Sequence, residues 1–521
     1  MRSGVLMSTI ILTASALNAG YVDTIGGSTY DCSTICAGLQ RFIYAVPGRG
    51  VHAAWWWAAD TYPWPDRNSR YNFYDANGGI WQWIDEDYML SGINPHSQHT
   101  SYGTLDYDPL SAQPVISFHT GSPVRPVVGR GTTAGPGNFQ FCQAPVGYQW
   151  PWVAVTASGT VHLAMIDNES QDRLWYTQTT DFQNWTPPVN IASPAPDPMF
   201  PDHQLIASKQ SNRVAVLWID YEGTQYMELY LRQSTDDGVT WNTPVEIPPP
   251  PAFGGDTVTS FHISSVGSLY DRNDNLCLVA AVAPIANGSM DVTPAEIWFY
   301  CPTNLPQWSE VHRVDVPAAS LRHSIGYNSI IACRPKVGQN PATGELYVIW
   351  SEYDTANVER ITQLLRPDIW VTSSSDNGLT WTVPTRLTGP DERGRLYVDL
   401  APLVNDTLHL IWMEDLCVGM NVMGQGPATR NPIVYLQLPA DEIGLSERQP
   451  ASAKPTHTVP TLTPRLVALS LHSKRALLID PVGRVVARLK AGSTDIRLLE
   501  SGVYFLHASG SARPEKIILQ R

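Results

Sequence analysis

Apolar positions along the chain fall into short alternating runs separated by polar turns, which is the pattern of β-strands rather than helices. Four stretches align with one another, at residues 173–191, 228–247, 296–314 and 368–387. Each contains an alternating strand, a polar turn, a tryptophan and a second short strand. The pattern therefore predicts a repeat of antiparallel hairpins.

A second apolar strand, usually ending in an acidic residue, precedes each hairpin. Seven such strands lie at residues 51–57, 115–119, 161–167, 214–220, 276–282, 346–352 and 408–414. A further short strand comes before each of them, so every unit has four antiparallel strands, which we name A to D. Units spaced by roughly 47 to 70 residues have the scale of β-propeller blades. We expect seven blades, with six as the alternative because the second unit is poor in its outer half.

Two of the turns between strands C and D share the pattern Ser-x-Asp-x-Gly-x-Thr-Trp. Their residues are Ser234, Asp236, Gly238, Thr240 and Trp241 in one turn, and Ser374, Asp376, Gly378, Thr380 and Trp381 in the other. An Asp side chain accepts hydrogen bonds from turn amides, and Gly supplies a positive φ. The Trp is expected to cover the turn from its apolar side. We therefore assign these residues a structural role, and interpret the turns at 181–185 and 303–308 as altered copies.

These turns resemble the Asp-box repeats of the sialidase-like β-propeller superfamily, and with the blade spacing the resemblance covers residues 22–440. It implies an all-β propeller. It implies no single activity, because the same boxes occur in sialidases, other glycosidases, lyases and non-enzymatic propellers.

The N-terminus has the pattern of an export signal. Arg2 precedes an apolar run at 5–17, followed by the small residues Ala19 and Gly20. The run is too short to span a bilayer and fits a cleaved signal peptide over residues 1–19. No later segment is long and apolar enough to be read as a transmembrane span.

The C-terminal part of the chain is predicted to be a linker at 441–464, rich in Pro, Ser and Thr, and a small β-sandwich-like domain at 465–521. Residues 477–486, 502–506 and 516–521 resemble the sorting domain of bacterial proteins secreted by the type IX system. The resemblance implies a Gram-negative host, the type IX machinery as a partner, and secretion or attachment to the cell surface.

Composition narrows the classes of partner. Only 16% of residues are charged and 43% are hydrophobic, which argues against disorder. The net charge of −14 argues against nucleic acid and against anionic membranes as ligands. No Gly-rich phosphate loop follows a strand, so we expect no nucleotide cofactor, and no ligand spacing indicates a metal.

Seven cysteines are present, and export would allow disulfides. Cys32 and Cys36 are close enough to pair locally, and Cys277 and Cys301 fall in neighbouring predicted strands. The odd number leaves at least one free thiol or an intermolecular bond.

A candidate site follows from the strand order. Because strands A and B form a hairpin, the starts of A and the ends of B emerge on one face, here called the A/B face, and the C–D turns on the other. At or near the starts of strands A lie the candidate substrate-binding residues Arg41, Tyr102, Trp150, His203, His262, His323 and Arg395. At the ends of strands B lie His119, Asp167 and the candidate catalytic carboxylates Asp60, Asp220, Glu352 and Glu414. Carboxylates, imidazoles and aromatic faces on one rim are typical of carbohydrate sites.

Three functions remain open. The resemblance implies a sialidase-type glycosidase, whose arginine clamp would use Arg41, Arg322 and Arg395, although Arg41 lacks the proline that usually follows. A polysaccharide lyase would use a His or Tyr as base, from a set that contains Tyr102, His203, His262 and His323. A non-catalytic surface propeller would bind a glycan or a protein.

Overall fold

A computed structural model describes residues 21–32, 40–121, 123–133, 136–145, 147–167, 173–192, 202–220, 228–254, 261–286, 289–317 and 321–443, and six strands between 467 and 519. Contacts divide the chain into two compact units, residues 1–448 and 449–521. The signal peptide predicted over residues 1–19 lies outside the described residues. In the described part, no helix is both long and apolar enough to cross a membrane.

The first unit is an all-β propeller of seven antiparallel sheets, as predicted. In blades 1 to 4 the strands, from A to D, are Ile43–Val46, Gly50–Trp57, Asn68–Asp75 and Ile80–Trp81; Thr100–Ser101 with Leu105–Asp108, Gln113–Thr120, Pro126–Gly131 and Phe139–Gln143; Tyr148–Val155, Val161–Asp167, Leu174–Thr179 and Val189–Ala192; and His203–Ala207, Val214–Asp220, Glu228–Ser234 and Val245–Ile247.

In blades 5 to 7 they are Phe261–Tyr270, Leu276–Ala286, Ala295–Tyr300 and Trp308–Val314, with Ser289–Met290 beside strand B; Ala332–Gln339, Leu346–Val358, Leu365–Ser374 and Thr385–Arg386; and Gly394–Leu400, Thr407–Asp415, Asn431–Pro439 and Tyr21–Ser28. Short 3-10 turns lie at Tyr88–Leu90, Ala252–Gly254, Asn421–Met423 and Ala440–Glu442. Blade 2 has complete C and D strands. The expectation that the outer half of this blade would be poorly formed was therefore wrong.

The ring is closed by the N-terminal strand, which sequence reasoning did not assign. Tyr21–Ser28 is the fourth strand of blade 7 and runs antiparallel to Asn431–Pro439, with Tyr21 opposite Gln437. Ile25 in this strand is fully buried, and Gly26 lies against the indole of Trp55 in blade 1. Strands from both ends of the propeller therefore complete one sheet.

Strands B are buried on both faces because each blade packs between two others. In blade 5, the seven residues from Cys277 to Ala283 are each 0% exposed. This explains why strands B appear in the sequence as continuous apolar runs rather than as alternating ones.

Both full Asp boxes form the same hydrogen-bonded turn. Asp236 accepts hydrogen bonds from the Thr240 amide (2.9 Å) and the Ser234 hydroxyl (2.7 Å), and Gly238 has a φ of +79°. The equivalent contacts in blade 6 are 2.9 and 2.8 Å for Asp376, and the φ of Gly378 is +81°. The box tryptophans pack on an aromatic ring of the preceding blade, Trp241 on Tyr176 and Trp381 on Phe299.

A second repeated contact joins strand B to strand C. A buried or half-buried histidine of strand B is hydrogen-bonded to a tyrosine hydroxyl of strand C in three blades. These pairs are His52 with Tyr71 (2.6 Å), His162 with Tyr176 (2.7 Å) and His409 with Tyr435 (2.7 Å). In each pair the two rings are stacked, so the contact fixes the same register in blades 1, 3 and 7.

The second unit contains a four-stranded antiparallel sheet in the order Val485–Lys490, Arg475–Ile479, Gly502–Ala508 and Glu515–Leu519. Val467–Leu469 pairs separately with Gly492–Thr494. Its role in sorting stays a prediction.

Candidate functional site

Strand A is interrupted near its start by a bulge in several blades. Tyr102, Trp150, Arg334 and Tyr397 each have a φ between +39° and +57°. Register shifts in strand pairing surround three of them, and Tyr102 lies in the gap between the two parts of its strand. A non-glycine residue in this conformation costs about 1–3 kcal/mol, and bulges of this kind re-aim side chains next to active sites. Four blades therefore hold a strained non-glycine residue near the start of strand A, on the A/B face.

Three of these residues belong to one cluster of aromatic and cationic side chains, which we name the tyrosine–arginine site. Its members are Tyr30, Arg67, Tyr102, Arg334 and Tyr397. Tyr30 follows the closing strand, and Arg67 lies in the loop between strands B and C of blade 1.

The two halves of the site both border the buried thiol of Cys32, which interacts with Tyr30 and Tyr102 in one half and with Arg334 and Tyr397 in the other. The hydroxyls of Tyr30 and Tyr102 are 2.9 Å apart, and the Arg67 guanidinium lies 4.9 and 5.9 Å from the centres of their rings. The Arg334 guanidinium lies 5.2 Å from the ring of Tyr397. Tyr397 donates to the backbone carbonyl of Asp31 at 2.6 Å, which ties the segment after the closing strand to blade 7.

Arg334 is a buried cation with neutral partners. Its side chain donates to the Ser329 hydroxyl at 3.0 Å and to the carbonyl of Asn328 at 3.3 Å, and the residue is 5% exposed. Among the residues that the structure describes, no carboxylate lies within ion-pair distance of its guanidinium. A buried charge without a counter-ion is costly, so this site favours an anionic ligand.

Two buried carboxyl groups lie beside it. Burial raises the pKa of Asp31 to about 6. Burial, with the charge of Asp31 as a smaller cause, raises the pKa of Asp415 to about 7. Asp31 accepts from the Asn421 amide at 2.6 Å, and its other oxygen has no hydrogen-bond partner in the described part of the chain. Near pH 6, half or more of each carboxyl is therefore protonated. The two groups then cancel only part of the positive charge of the arginines.

The remaining polar groups of the site are neutral near pH 7. Burial raises the pKa of Tyr30 and Tyr397 well above 10, and that of Cys32 to about 12. Burial lowers the pKa of His119 to about 3. His119 Nδ1 accepts from the Trp150 amide at 3.2 Å, so its proton is on Nε2 and its ring is a neutral neighbour of Tyr102.

The structure brings Tyr102, Trp150 and His119 together, as the strand order predicted. Arg395 and Glu414 also meet, but in an ion-pair network, with nitrogen and oxygen 3.7 Å apart. Arg395 is further paired with Asp368 at 3.2 Å and with Asp391 at 2.5 Å. Their charges are thus already compensated within the protein.

Other candidates lie apart from the site. Arg41 reaches into the central channel and donates to the carbonyls of Leu400 (3.2 Å) and Ser268 (3.0 Å). Glu352 accepts from Trp350 Nε1 at 2.9 Å and lies 3.0 Å from His312 Nε2.

Three candidates do not lie at the strand ends where they were expected. Glu352 lies in the middle of strand B of blade 6, because that strand continues to Val358. Asp60 is exposed, three residues beyond the end of its strand B. His323 lies in a loop, because strand A of blade 6 begins only at Ala332.

The remaining candidates lie at the expected strand ends. His203 is buried beside Trp152, and burial lowers its pKa to about 3. His262 is half-buried at the start of its strand A, and Asp167 is buried at the end of its strand B. Asp220 ends strand B of blade 4, and its side chain lies outside what the structure describes.

Sequence reasoning missed Tyr30, Arg67, Arg334 and Tyr397. One signal was available for Arg334, because both Trp150 and Arg334 precede a proline inside an apolar strand. Proline within a propeller strand marks a bulge or an edge, and here it marks the bulge in strand A.

A cavity of about 1010 Å³, including open solvent, opens on the opposite face, among the A–B turns. Its three cations are engaged: Arg41 by two carbonyls, Lys209 by Asp106 at 2.7 Å, and Arg272 by the carbonyl of Ala342 at 3.2 Å. The tyrosine–arginine site is smaller, but it offers a cation without a carboxylate partner. We therefore choose the tyrosine–arginine site on the A/B face as the candidate site, on the chemistry of its residues rather than on the size of the cavity.

No family model and no curated protein matches this sequence. Solved structures match it as propellers. A PL25 ulvan lyase bound to -[GlcA(1-4)Rha3S]- is 9% identical, with a TM-score of 0.46, over 79% of this chain and 96% of that one. The α-L-arabinanase of Penicillium chrysogenum is 14% identical, with a TM-score of 0.41, over 66% and 94%. The Hadza microbial sialidase Hz136 is 16% identical, with a TM-score of 0.35, over 72% and 74%. The likeness is one of fold.

Proposed function

We propose that this protein is an exported propeller that binds an acidic polysaccharide at the tyrosine–arginine site and cleaves it by β-elimination. The observation that carries the proposal is the buried guanidinium of Arg334, which has neutral partners and lies next to a network of phenol groups. A uronate carboxylate would supply the missing anion, and arginine suits this partner because its planar fork matches a carboxylate.

In this reaction the arginines neutralise the uronate carboxylate, which makes the proton on the adjacent C5 more acidic. Tyr102 takes that proton as a phenolate, the C4–O4 bond breaks, and a C4–C5 double bond forms. Tyr102 then returns a proton to the leaving oxygen. The protonated Tyr30 hydroxyl at 2.9 Å and the Arg67 cation over both rings favour the phenolate form of Tyr102.

Acidic residues at the ends of strands B would repel an anionic polymer if they were free. Glu414 is paired with Arg393 and Arg395, and Glu352 with His312 and Trp350. This pairing removes much of that objection.

A sialidase-type reaction has less support. The clamp would need Arg41, Arg322 and Arg395 to converge, but Arg41 lies in the channel and Arg395 is held by three carboxylates. A non-catalytic binder would use the same site without turnover.

The test uses the chain from Tyr21 to Arg521 and a panel of uronate polymers, sialosides and neutral glycans. We expect uronate polymers to bind and to yield unsaturated products, detected by ultraviolet absorbance and mass spectrometry. Tyr102→Phe should lower kcat about 100-fold or more while KM changes little. Arg334→Lys should weaken binding at least about 10-fold, because lysine lacks the bidentate fork.

Arg360→Lys is the matched control, since Arg360 is highly exposed and pairs with Glu392 on the surface. Binding without any product would support the non-catalytic alternative. Equal binding of neutral and acidic glycans, or full activity in Tyr102→Phe, would rule out the proposed roles.

A further inference from the structure

Cys277 and Cys301 face each other across two neighbouring strands of blade 5. Leu278 of strand B is paired with Tyr300 of strand C, and the next position along the same antiparallel register sets Cys277 opposite Cys301. Their sulfur atoms lie within 4.8 Å of each other. We infer that these two residues are a site of oxidative modification and form a cross-strand disulfide in the exported protein.

The backbone distance suits this bond. Directly opposed residues in an antiparallel ladder have Cα atoms about 4.5–5.5 Å apart, and disulfides span about 4.4–6.8 Å. No movement of the strands is needed, because only the two side chains must turn toward each other.

The surroundings of the pair favour reaction at Cys301. Its sulfur lies 3.2 Å from the Thr303 hydroxyl and 3.6 Å from the side-chain amide of Asn377 in blade 6. The hydrogen bond from the Cys277 thiol, aided by these two groups, lowers the pKa of Cys301 to about 6. Cys301 is therefore the thiolate of the pair at neutral pH, which is the nucleophilic form.

Asp271 is the third group near the two sulfurs, so a thiophilic metal ion is the rival occupant. One oxygen of Asp271 already accepts the amides of Asn273 (2.9 Å) and Asn275 (2.7 Å), and the other accepts from the Asn275 side chain at 3.1 Å. Within the described residues, the cluster has three ligand groups and structural zinc takes four. The geometry thus favours a sulfur–sulfur bond.

The oxidation is a two-step exchange with a low-molecular-weight disulfide such as oxidised glutathione. The Cys301 thiolate attacks one glutathione sulfur and releases one glutathione thiolate. The Cys277 thiolate then attacks the Cys301 sulfur of the mixed disulfide and releases the second. Both cysteines are 0% exposed, so we expect the oxidant to reach Cys301 when the ends of strands B and C open locally.

Peptide mapping gives a direct test. The full chain is refolded in a glutathione redox buffer, alkylated and cut with trypsin, which places both cysteines in the single peptide 273–313. Cleavage after Glu296 and Glu310 then separates the two cysteines into fragments 273–296 and 297–310. We expect these fragments to stay linked without reductant and to separate with dithiothreitol.

Cys277→Ser and Cys301→Ser should each leave the remaining cysteine alkylated and lower the Tm under oxidising conditions by about 2–5 °C. Cys142→Ser, in strand D of blade 2, should keep the linked fragments. Alkylation of both Cys277 and Cys301 in the wild type, or stoichiometric zinc released by chelator from the full chain, would overturn the inference. Glycan cleavage plays no part in the readout, so this test stands apart from the proposed function.

Discussion

The smallest features of this propeller were also the easiest to predict. In the Asp boxes, the hydrogen bonds of Asp236 and Asp376 are made within one turn, so a local motif specifies the geometry of these two residues. Arg334 is the opposite case. Its hydrogen-bond partners Ser329, Cys333 and Asn328 are close in sequence. Its place in the candidate site, however, depends on Tyr397 and on the segment after the closing strand, and no local sequence pattern links these to Arg334.

Gly238 is required for two reasons, and its replacement tests both. Its φ of +79° disfavours other residues, and a methyl group there would overlap the Tyr176 hydroxyl of blade 3. Gly238→Ala should therefore lower the free energy of unfolding by about 2–4 kcal/mol, measured by urea denaturation.

Gly424→Ala is the control, because Gly424 has a φ of +70° and open space around its Cα. Conformational strain alone should cost about 1 kcal/mol there. Equal losses in the two variants would mean that contact between the blades contributes nothing at Gly238.

At the scale of elements, the repeated histidine–tyrosine pairs and the closing strand both join strands. Neither was found from sequence. His52, His162 and His409 look like ordinary strand residues until their register with strand C is known. The closing strand, Tyr21–Ser28, is followed by polar residues and pairs with a partner more than 400 positions away, so sequence periodicity could not assign it to blade 7.

The histidines should make the protein less stable in mild acid. Burial lowers the pKa of His409 to about 4, whereas an unfolded histidine has a pKa near 6.5. Above pH 6.5 both states are neutral and there is no effect. Between pH 6.5 and 4 the unfolded chain binds a proton that the folded chain does not, so stability falls by about 1.4 kcal/mol per pH unit at most.

His409→Gln should remove this share of the slope, measured as the free energy of unfolding against pH. Asp31 and Asp415 act in the opposite direction, because their folded pKa values are raised, so only the difference between variant and wild type is informative. An identical slope in wild type and His409→Gln would show that this pair does not resist protonation.

Ring closure can be tested within one strand. Ile25 is 0% exposed and lies at the bulge between Thr24 and Gly26, whereas Val22 is 59% exposed and pairs with Leu436. Ile25→Ala should lower the free energy of unfolding by about 2–4 kcal/mol and Val22→Ala by less than about 0.5 kcal/mol. Similar small losses would indicate that the closing strand adds little to the stability of the ring.

For the whole molecule, the seven-bladed architecture followed from repeat spacing and strand patterns, while the site did not. Strand order correctly predicted that Tyr102 and Trp150 lie together on the A/B face. The cationic part of the site comes from loops and bulges of blades 1 and 6, whose convergence depends on closing the ring. The spacing of the sequence repeats predicts the strands that all blades share. It does not predict loop and bulge residues such as Arg67 and Arg334, which differ from blade to blade and form the candidate site.

Net charge gives a prediction at this scale. The chain carries −14 while the proposed ligand is also anionic, so long-range repulsion should slow their encounter. Raising the ionic strength from about 0.01 to 0.15 M shortens the screening length from about 30 to 8 Å, so the association rate constant should rise. Stopped-flow measurement checks this, and a rate that falls with salt would mean that the local arginines dominate even at a distance.

The closing strand also sets an order of events during synthesis. Tyr21 emerges from the ribosome early, but its partner Gln437 is made 416 residues later. At about 5–20 residues per second, the first strand waits roughly 20–80 s with its pairing edge and Ile25 unprotected. The strands of the other six blades are all made in that interval, yet blade 7 is incomplete, so until Gln437 is made the chain can form at most an open arc whose first strand has no partner.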